Sequence, residues 1–315
     1  MNIAIVTPAA AGSRHGNRNT AMRWAALLRD LGHRVRVQVA WDGAPADVMI
    51  ALHARRSHDS VVRYAFSRPQ RPLLLVLTGT DLYRDIRVDA NAQESMELAS
   101  RMIVLQEAGL KELAPRLRAK TRVIYQSAPP VAPRSPLKSG FEVVVSGHLR
   151  EEKDPFRAAM ALAHLPLKSR LRVTHIGKAM TPELARAARA WADREPRYRW
   201  LGELPHARAL RTLSRARLMV ISSLMEGGAN VVSEALTAGV PVIASHISGN
   251  IGMLGPRYAG YYPVENERAM AGLLWRAESD PAFYRKLRAQ CKARRGLVAP
   301  RRERLELKKL LAESV

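Results

Sequence analysis

The chain has 315 residues, of which 47% are hydrophobic and 25% charged, and this globular balance excludes disorder as its main state. Lys and Arg number 51 against 28 Asp and Glu, a net charge of +23 that favours anionic ligands such as nucleic acid, acidic lipid or phosphorylated small molecules. The one cysteine, Cys291, excludes an internal disulfide and a cysteine-based zinc cluster and is typical of a reducing compartment, so we expect a cytoplasmic location. No apolar run is long enough to span a membrane, and the first residues predict a strand rather than a signal peptide.

Short apolar runs alternate with helical patterns along the first 125 residues. Six runs predict strands, at residues 3–7, 35–39, 48–52, 73–77, 102–105 and 122–125. Residues 20–31 have the spacing of an amphipathic helix, which stops at Gly32. Strands of this length, separated by helical patterns of about 10 to 20 residues, predict βαβ units and a parallel sheet.

A proline-rich segment separates the two halves of the chain. Residues 127–136 contain four prolines, which cannot donate hydrogen bonds to a sheet and are typical of a linker. We therefore expect an N-terminal Rossmann-like domain at 1–130, a linker at 131–140 and a C-terminal Rossmann-like domain at 141–299. The C-terminal helix, 300–315, is a candidate to pack back on the N-terminal domain.

After the linker the alternation of strands and helices begins again. Predicted strands lie at 142–146, 171–176, 198–201, 218–221 and 240–244, and helical patterns lie at 155–164, 182–195, 206–215, 228–238 and 267–311. The fold class is therefore α/β, with two doubly wound parallel sheets. Ligands of such folds lie beyond the carboxyl ends of the strands, and a cleft between the two domains is the expected site.

The basic C-terminal region raises the question of a nucleic-acid partner. Its arginines alternate with apolar positions, as on a solvated helix face, at Arg288, Arg294, Arg295, Arg301 and Arg304. No zinc finger, RNA-recognition motif or basic zipper is present, and aromatic residues make up only 5% of the chain. We expect no nucleic-acid partner and interpret the region as charged surface.

The most informative segment, residues 218–255, joins a strand, a loop and a helix. Glu226 lies in the loop, directly before Gly227 and Gly228, and Glu234 lies on the helix. Glycines let a ligand approach the backbone, and a helix N-terminus offers N–H groups and a positive dipole end to an anion. The pattern fits a ligand with phosphate and vicinal hydroxyls, and it fits equally a further βαβ unit with exposed acids.

With the residues that follow, this segment resembles the nucleotide-sugar site of GT-B glycosyltransferases of the retaining family-4 type. That family carries two acids separated by seven residues, then a small residue and Gly-Val-Pro-Val; here these are Glu226, Glu234 and residues 238–242. The resemblance implies that Glu234 holds the nucleotide ribose and that Glu226 contacts the donor sugar. It also implies a set of donor-binding residues in the loop and the helix start, at Gly227, Gly228, Ala229, Asn230 and Val231. The GT-B fold, two Rossmann-like domains with an interdomain cleft, is implied as well.

A second family element opens the C-terminal domain, in residues 145–154. It resembles the loop, here beginning at Gly147, whose Arg and Lys bind the donor diphosphate, and Lys153 falls on the family Lys. The family Arg is His148 here, so either Arg150 takes over the phosphate contact or the site is tuned differently. The resemblance implies Lys153, Arg150 and Glu226 as catalytic residues, with no metal and no cofactor.

The N-terminal domain carries basic and polar residues after its predicted strands. A glycine-framed loop before the first helix suits a small anionic acceptor, with Gly12, Arg14, His15, Asn17 and Arg18. Later strand ends supply further acceptor candidates: His53, Thr78, Thr80 and Asp81, with Arg55 and Arg84 as additional cations. A lone His53 is also consistent with a structural role, and Asp81 after Thr-Gly-Thr also suits a turn cap.

Together these segments are similar to a narrower group, the selenosugar synthases of selenoneine biosynthesis. The matching segments run from residues 16–25 to 248–264, near the full chain. The resemblance implies that a UDP-sugar, of the N-acetylglucosamine or glucose type, is joined through its anomeric carbon to the selenium of selenophosphate. The alternative is an ordinary GT-B transferase with a sugar, lipid or small-molecule acceptor. A nicotinamide-dependent enzyme is disfavoured because the first loop lacks the G-x-G-x-x-G pattern.

Overall fold

The computed structural model describes residues 1–12, 16–132, 134–135 and 140–314. The chain forms two compact units. Unit 1 consists of Met1–Gln126, Glu226–Gly228 and Pro300–Val315, and unit 2 consists of Ser127–Met225 and Ala229–Ala299.

Unit 1 is built on a six-stranded parallel sheet with the order β2-β1-β3-β4-β5-β6. The strands are β1 (Asn2–Val6), β2 (Arg34–Gln38), β3 (Val48–Leu52), β4 (Leu73–Leu77), β5 (Arg101–Val104) and β6 (Thr121–Val123). Every residue of β3 and β4 is buried, as expected of central strands covered on both faces.

Helices pack on both faces of this sheet. They are α1 (Gly16–Asp30), α2 (His58–Ser67), α3 (Ile86–Val88), α4 (Ala90–Leu98), α5 (Pro115–Arg118) and α13 (Pro300–Ser314). A π-helical turn, Asp81–Asp85, and a 3₁₀ turn, Glu107–Glu112, follow β4 and β5. Leu307, Leu310 and Leu311 of α13 join the same core cluster as Trp24 of α1 and Ile3 of β1, so the C-terminal helix completes the core of unit 1.

Unit 2 has a second six-stranded parallel sheet with the order β12-β11-β10-β7-β8-β9. The strands are β7 (Phe141–Ser146), β8 (Leu171–Ile176), β9 (Tyr198–Trp200), β10 (Leu218–Ile221), β11 (Val242–Ser245) and β12 (Tyr261–Tyr262). Because β7 and β10 are neighbours in register, the loops that leave their carboxyl ends lie side by side.

Seven helices belong to unit 2 in the described part of the chain: α6 (Arg157–Leu162), α7 (Pro182–Arg194), α8 (His206–Leu213), α9 (Asn230–Ala238), α10 (Ser248–Leu254), α11 (Glu267–Ser279) and α12 (Pro281–Arg294). Two 3₁₀ turns, Glu151–Lys153 and Arg295–Val298, complete it. No helix of the described ranges is both long and apolar enough to cross a membrane.

The predicted fold class, two doubly wound parallel α/β sheets, is confirmed. The helical C-terminal stretch is divided, however, into α11, α12 and α13. The carboxylate of Asp280 caps α12 by accepting from the backbone N–H groups of Ala282 and Phe283, and Pro281 takes the first helical position. Arg294 is also not the solvated residue we expected, because its guanidinium donates to the Gly252 and Met253 carbonyls.

Candidate functional site

In unit 1 the candidate residues for the acceptor substrate that follow β3 and β4 lie close together. His53 follows β3 with a positive φ of 77° and is buried. Its Nε2 lies 3.0 Å from Thr80 Oγ1, and its Nδ1 accepts from the Arg56 N–H at 3.4 Å. This pattern places the ring proton on Nε2, donated to the Thr80 hydroxyl. Burial lowers the pKa of His53, against the opposing effect of Asp81, so the imidazole is neutral at pH 7.

Asp81 is fully buried and organises the turn after β4. One carboxylate oxygen accepts from the backbone N–H groups of Thr78 and Gly79 at 2.9 and 2.8 Å, and the other accepts from Ala54 at 3.0 Å. Asp81 therefore ties the end of β4 to the end of β3. Its direct contact with an acceptor, and that of Thr78, stay predictions.

A cationic cluster lies beside this histidine. Asp85, at the end of the π-helical turn, accepts from Arg55 Nε at 2.9 Å and from Arg84 Nε at 3.1 Å. Burial acts to raise the pKa of Asp85, but the hydrogen bonds from Arg84 and Arg55 outweigh it and the net shift is downward. Arg56 also lies close enough to act on the imidazole. The three guanidiniums therefore outnumber the carboxylates of Asp81 and Asp85 in this cluster.

The segment Glu226–Gly228 passes over the same turn of unit 1. A Cβ on Gly227 would lie 2.1 Å from the Thr78 carbonyl oxygen, and a Cβ on Gly228 would lie 2.5 Å from Leu105 Cβ. Both positions therefore exclude any larger residue, which explains the glycine pair that follows Glu226. Glu226 itself is buried, with 8% of its surface exposed.

The loop before α1 is described in part. Gly12 has a positive φ of 78°, which glycine adopts without strain, and Asn17 and Arg18 lie half-buried in the first turn of α1. The predicted residues Arg14 and His15 lie outside the described residues.

In unit 2 the candidate diphosphate loop leaves β7 at Gly147. The Gly147 carbonyl oxygen would lie 1.8 Å from a Cβ on Gly177, so the loops after β7 and β8 touch backbone to backbone. His148 accepts from the Lys178 N–H through Nδ1 at 3.2 Å, and an accepting Nδ1 indicates an imidazole that keeps its proton on Nε2 when neutral. The Nε atom of Arg150 is buried and has no hydrogen-bond partner among the residues that the structure describes. These contacts do not explain why this chain has His148 at the position of the family Arg.

The loop after β10 fixes the loop that carries Lys153. The Ser222 hydroxyl shares its one proton between the carbonyl oxygens of Lys153 and Asp154, at 3.0 and 2.8 Å. The Leu224 N–H donates to the Glu152 carbonyl at 2.9 Å. The hydroxyl of Ser222 and the N–H of Leu224 therefore join the two loops at the carboxyl edge of the β7–β10 pair. Lys153 stays a predicted diphosphate ligand, held at this edge by its backbone.

The helix α9 begins two residues later than predicted, at Asn230, because Gly227 and Gly228 remain in the loop. Ala229 is its N-cap residue and provides no side-chain hydrogen bond to the first turn, where Asn230 and Val231 lie. In its second turn, Glu234 Oε1 accepts from His206 Nε2 at 2.8 Å. No sequence pattern singled out His206, because the two residues are 28 positions apart.

Metal ligands are not grouped in the described ranges: they contain no cluster of three or more His, Cys, Asp or Glu residues that could hold an ion. The expectation that the reaction needs no metal and no cofactor stays a prediction.

The chain is similar to known proteins in sequence and in fold. Residues 133–294, just over half of the chain, match the family model described as "Glycosyl transferases group 1". Anabaena HepE, solved in complex with UDP and glucose, is 16% identical with a TM-score of 0.79, and the match covers 99% of this chain and 100% of HepE. Sucrose-phosphate synthase from Thermosynechococcus elongatus is 17% identical with a TM-score of 0.78, over 99% of this chain and 98% of that one. A glycosyltransferase from Rickettsia africae is 13% identical with a TM-score of 0.72, over 99% and 98% of the two chains. These similarities confirm the predicted GT-B fold.

Proposed function

The chain belongs to the glycosyl transferases group 1 family, and from that premise we propose that it transfers a sugar from a UDP-sugar to selenophosphate. In this reaction the bond between the anomeric carbon and the diphosphate oxygen breaks, and a bond from that carbon to selenium forms. UDP leaves with the bonding electron pair, and the first product is a sugar that carries a phosphorylated selenium.

The donor half of the proposal is supported by the fold relatives and by the residues of unit 2. HepE was solved with UDP-glucose. In this chain Glu226, in the loop before α9, and Glu234, on α9, match the two acids of the family that this segment resembles. Negative charge grows on the diphosphate as the anomeric bond breaks. Lys153, Arg150 and the N–H groups at the start of α9 are the groups proposed to stabilise that charge.

The acceptor half rests on one observation, the cationic cluster at the ends of β3 and β4. The three guanidiniums of this cluster outnumber its two carboxylates, so positive charge is in excess there. A small dianion such as selenophosphate would be held by this charge, since phosphate groups favour guanidinium partners. Selenium in selenophosphate is already a soft anionic nucleophile and needs no strong base.

The test is a product assay. The protein is incubated with UDP-N-acetylglucosamine or UDP-glucose and enzymatically generated selenophosphate, and UDP release is measured together with mass-spectrometric detection of a selenium-bearing sugar. We expect both products to depend on selenophosphate. Release of UDP only with other acceptors from a panel would favour the second candidate, an ordinary sugar transferase, and the absence of any selenium-bearing sugar would overturn the proposal.

Two glutamates separate donor binding from turnover in this assay. Glu234→Ala is expected to raise the KM for the UDP-sugar about tenfold, because a charged hydrogen-bond acceptor for the ribose is lost. Glu226→Ala is expected mainly to lower kcat, since this residue is proposed to contact the reacting sugar. Glu183→Ala is the matched control, because Glu183 lies on the surface of α7 with 69% of its side chain exposed. Unchanged kcat/KM in both site variants would show that the donor site lies elsewhere.

A further inference from the structure

The carboxylate of Glu234 is held by a residue from a different helix. Glu234 lies in the second turn of α9 with 16% of its side chain exposed, and His206, the first residue of α8, has 63% exposed. The distance from His206 Nε2 to Glu234 Oε1 is 2.8 Å. A carboxylate can only accept, so Nε2 is the donor, whether the ring is neutral or charged.

This hydrogen bond restricts where the carboxylate can point. A glutamate side chain has three torsion angles, and fixing them costs conformational entropy. The hydrogen bond from His206 restricts these torsion angles of Glu234 in the folded protein before any ligand binds. Glu234 then meets a ligand with one oxygen already oriented, which lowers the entropic cost of binding.

The bound carboxylate still has room for two hydroxyls. Its two oxygens offer about four lone-pair positions, and His206 uses one of them. Two neighbouring hydroxyls on one sugar ring can donate to the remaining positions. A ligand that lacks one of these hydroxyls leaves a desolvated acceptor without a partner, which is costly in a partly buried site.

We propose that His206 is a positioning residue that orients Glu234 for both hydroxyls of a nucleotide ribose and thereby makes the donor site prefer ribonucleotides to 2′-deoxyribonucleotides. The inference rests on the proposed UDP-sugar donor. It assigns His206 no contact with the reacting atoms, since it acts through the carboxylate.

The experiment is calorimetric titration of the protein with UDP and with 2′-deoxy-UDP. The ratio of the two Kd values measures how well Glu234 reads the second hydroxyl. His206→Ala is expected to lower this ratio about fivefold, mainly by weakening UDP binding. His206→Gln can still donate an N–H to Glu234 and should stay within about twofold of the unchanged protein. His164→Ala is the matched control, because His164 is an exposed histidine elsewhere in unit 2.

A double-mutant cycle decides whether His206 acts through Glu234. In the Glu234→Ala background the substitution His206→Ala should change neither Kd, because the carboxylate that His206 orients is gone. An unchanged ratio in His206→Ala, or an equal effect of His206→Ala with and without Glu234, would overturn the inference while UDP binding remains. If the unchanged protein binds no UDP, the proposed donor fails and the inference falls with it, so the two failures are distinguishable.

Discussion

At the scale of single residues, the buried imidazole of His175 makes the stability of unit 2 sensitive to acid. His175 lies on β8 with its Nδ1 2.9 Å from the Tyr198 hydroxyl, and burial lowers its pKa to about 4. Between pH 6.5, the ordinary pKa of histidine, and pH 4, His175 is protonated in the unfolded chain and neutral in the folded chain. The free energy of unfolding therefore falls as the pH drops from 6.5 towards 4. The part due to His175 is about 2 kcal/mol between pH 7 and pH 5.

Urea unfolding at pH 7 and pH 5 measures this effect. His175→Asn should reduce the difference between the two free energies of unfolding by about 2 kcal/mol, because the titrating group is gone. His164→Ala, which removes an exposed histidine, should leave the difference unchanged. The same pH dependence in His175→Asn and in the unchanged protein would contradict the prediction.

Gly227 is a second residue at which a single substitution tests the structure. Its added Cβ would lie 2.1 Å from the Thr78 carbonyl oxygen and 2.8 Å from the Gly79 nitrogen, both backbone atoms that cannot move alone. Gly227→Ala should lower stability by about 1–3 kcal/mol and turnover by at least about tenfold. Gly272→Ala is the control, because this glycine lies in α11 with open space around its Cβ, and alanine favours the helix. A Gly227→Ala protein with unchanged melting temperature and turnover would contradict the observed packing.

At the scale of elements, α13 is attached to α1 by a buried carboxylate. Glu303 is 1% exposed; it accepts from Trp24 Nε1 at 2.7 Å and from Arg23 Nε at 3.0 Å. Glu303→Ala would leave the indole N–H and the guanidinium without this acceptor, so we expect a loss of about 3–5 kcal/mol in the free energy of unfolding. Hydrogen exchange along Pro300–Ser314 should rise at the same time.

Glu306→Ala is the matched control on the same helix. Glu306 meets Lys309 at 3.4 Å on the surface, and such a pair contributes at most about 1 kcal/mol. Glu303→Gln, which keeps an acceptor for Trp24, should lie between the two. Equal losses for Glu303→Ala and Glu306→Ala would show that the buried carboxylate is not what holds α13.

The elements also show how far sequence reasoning reaches. Four strands, β3, β4, β8 and β10, have the predicted bounds. In β3, β4 and β10 every residue is apolar and buried, as is typical of fully buried parallel strands, whereas β8 includes the exposed Arg172. The helices α2, α3, α4, α5 and α10 and the two-residue strand β12 were not predicted. Only Ala92, Ser95 and Met96 of α4 are buried, which is too short and too mixed a stripe to stand out.

The candidate site also has features that the sequence indicated and features that only the structure shows. The glycine pair after Glu226 and the second acid, Glu234, were singled out by the local pattern and the family resemblance, and their donor roles stay predictions. The hydrogen-bond partners that orient Glu234 and Asp81 were not predicted, because they come from distant positions in the sequence. The hydrogen bond from His206 joins residues 28 positions apart, and the bond from Ala54 to Asp81 joins residues 27 apart. The periodicity of helices and strands carries no information on pairs this far apart, so these contacts are seen only in the folded structure.

At the scale of the whole molecule, the net charge of +23 separates specific from general anion binding. A long polyanion such as duplex DNA can contact many surface cations at once, whereas UDP can contact only a few. If about 6–10 phosphates are contacted, the affinity for DNA falls about 10³- to 10⁵-fold between 50 and 200 mM salt. The KM for the UDP-sugar should change only a few-fold over the same range, because few charges are paired.

Fluorescence anisotropy with labelled duplex DNA, and the UDP-release assay, measure the two responses. UDP should not displace the DNA at any salt concentration. Replacing two exposed basic residues, Arg288→Glu and Arg301→Glu, should weaken the DNA complex and flatten its salt dependence, since fewer counterions are released. The same double variant should keep the KM for the UDP-sugar, because neither residue belongs to the proposed donor or acceptor site. DNA binding that persists at about 200 mM salt and is displaced by UDP would contradict this prediction, because the DNA would then occupy the UDP site rather than the general cationic surface.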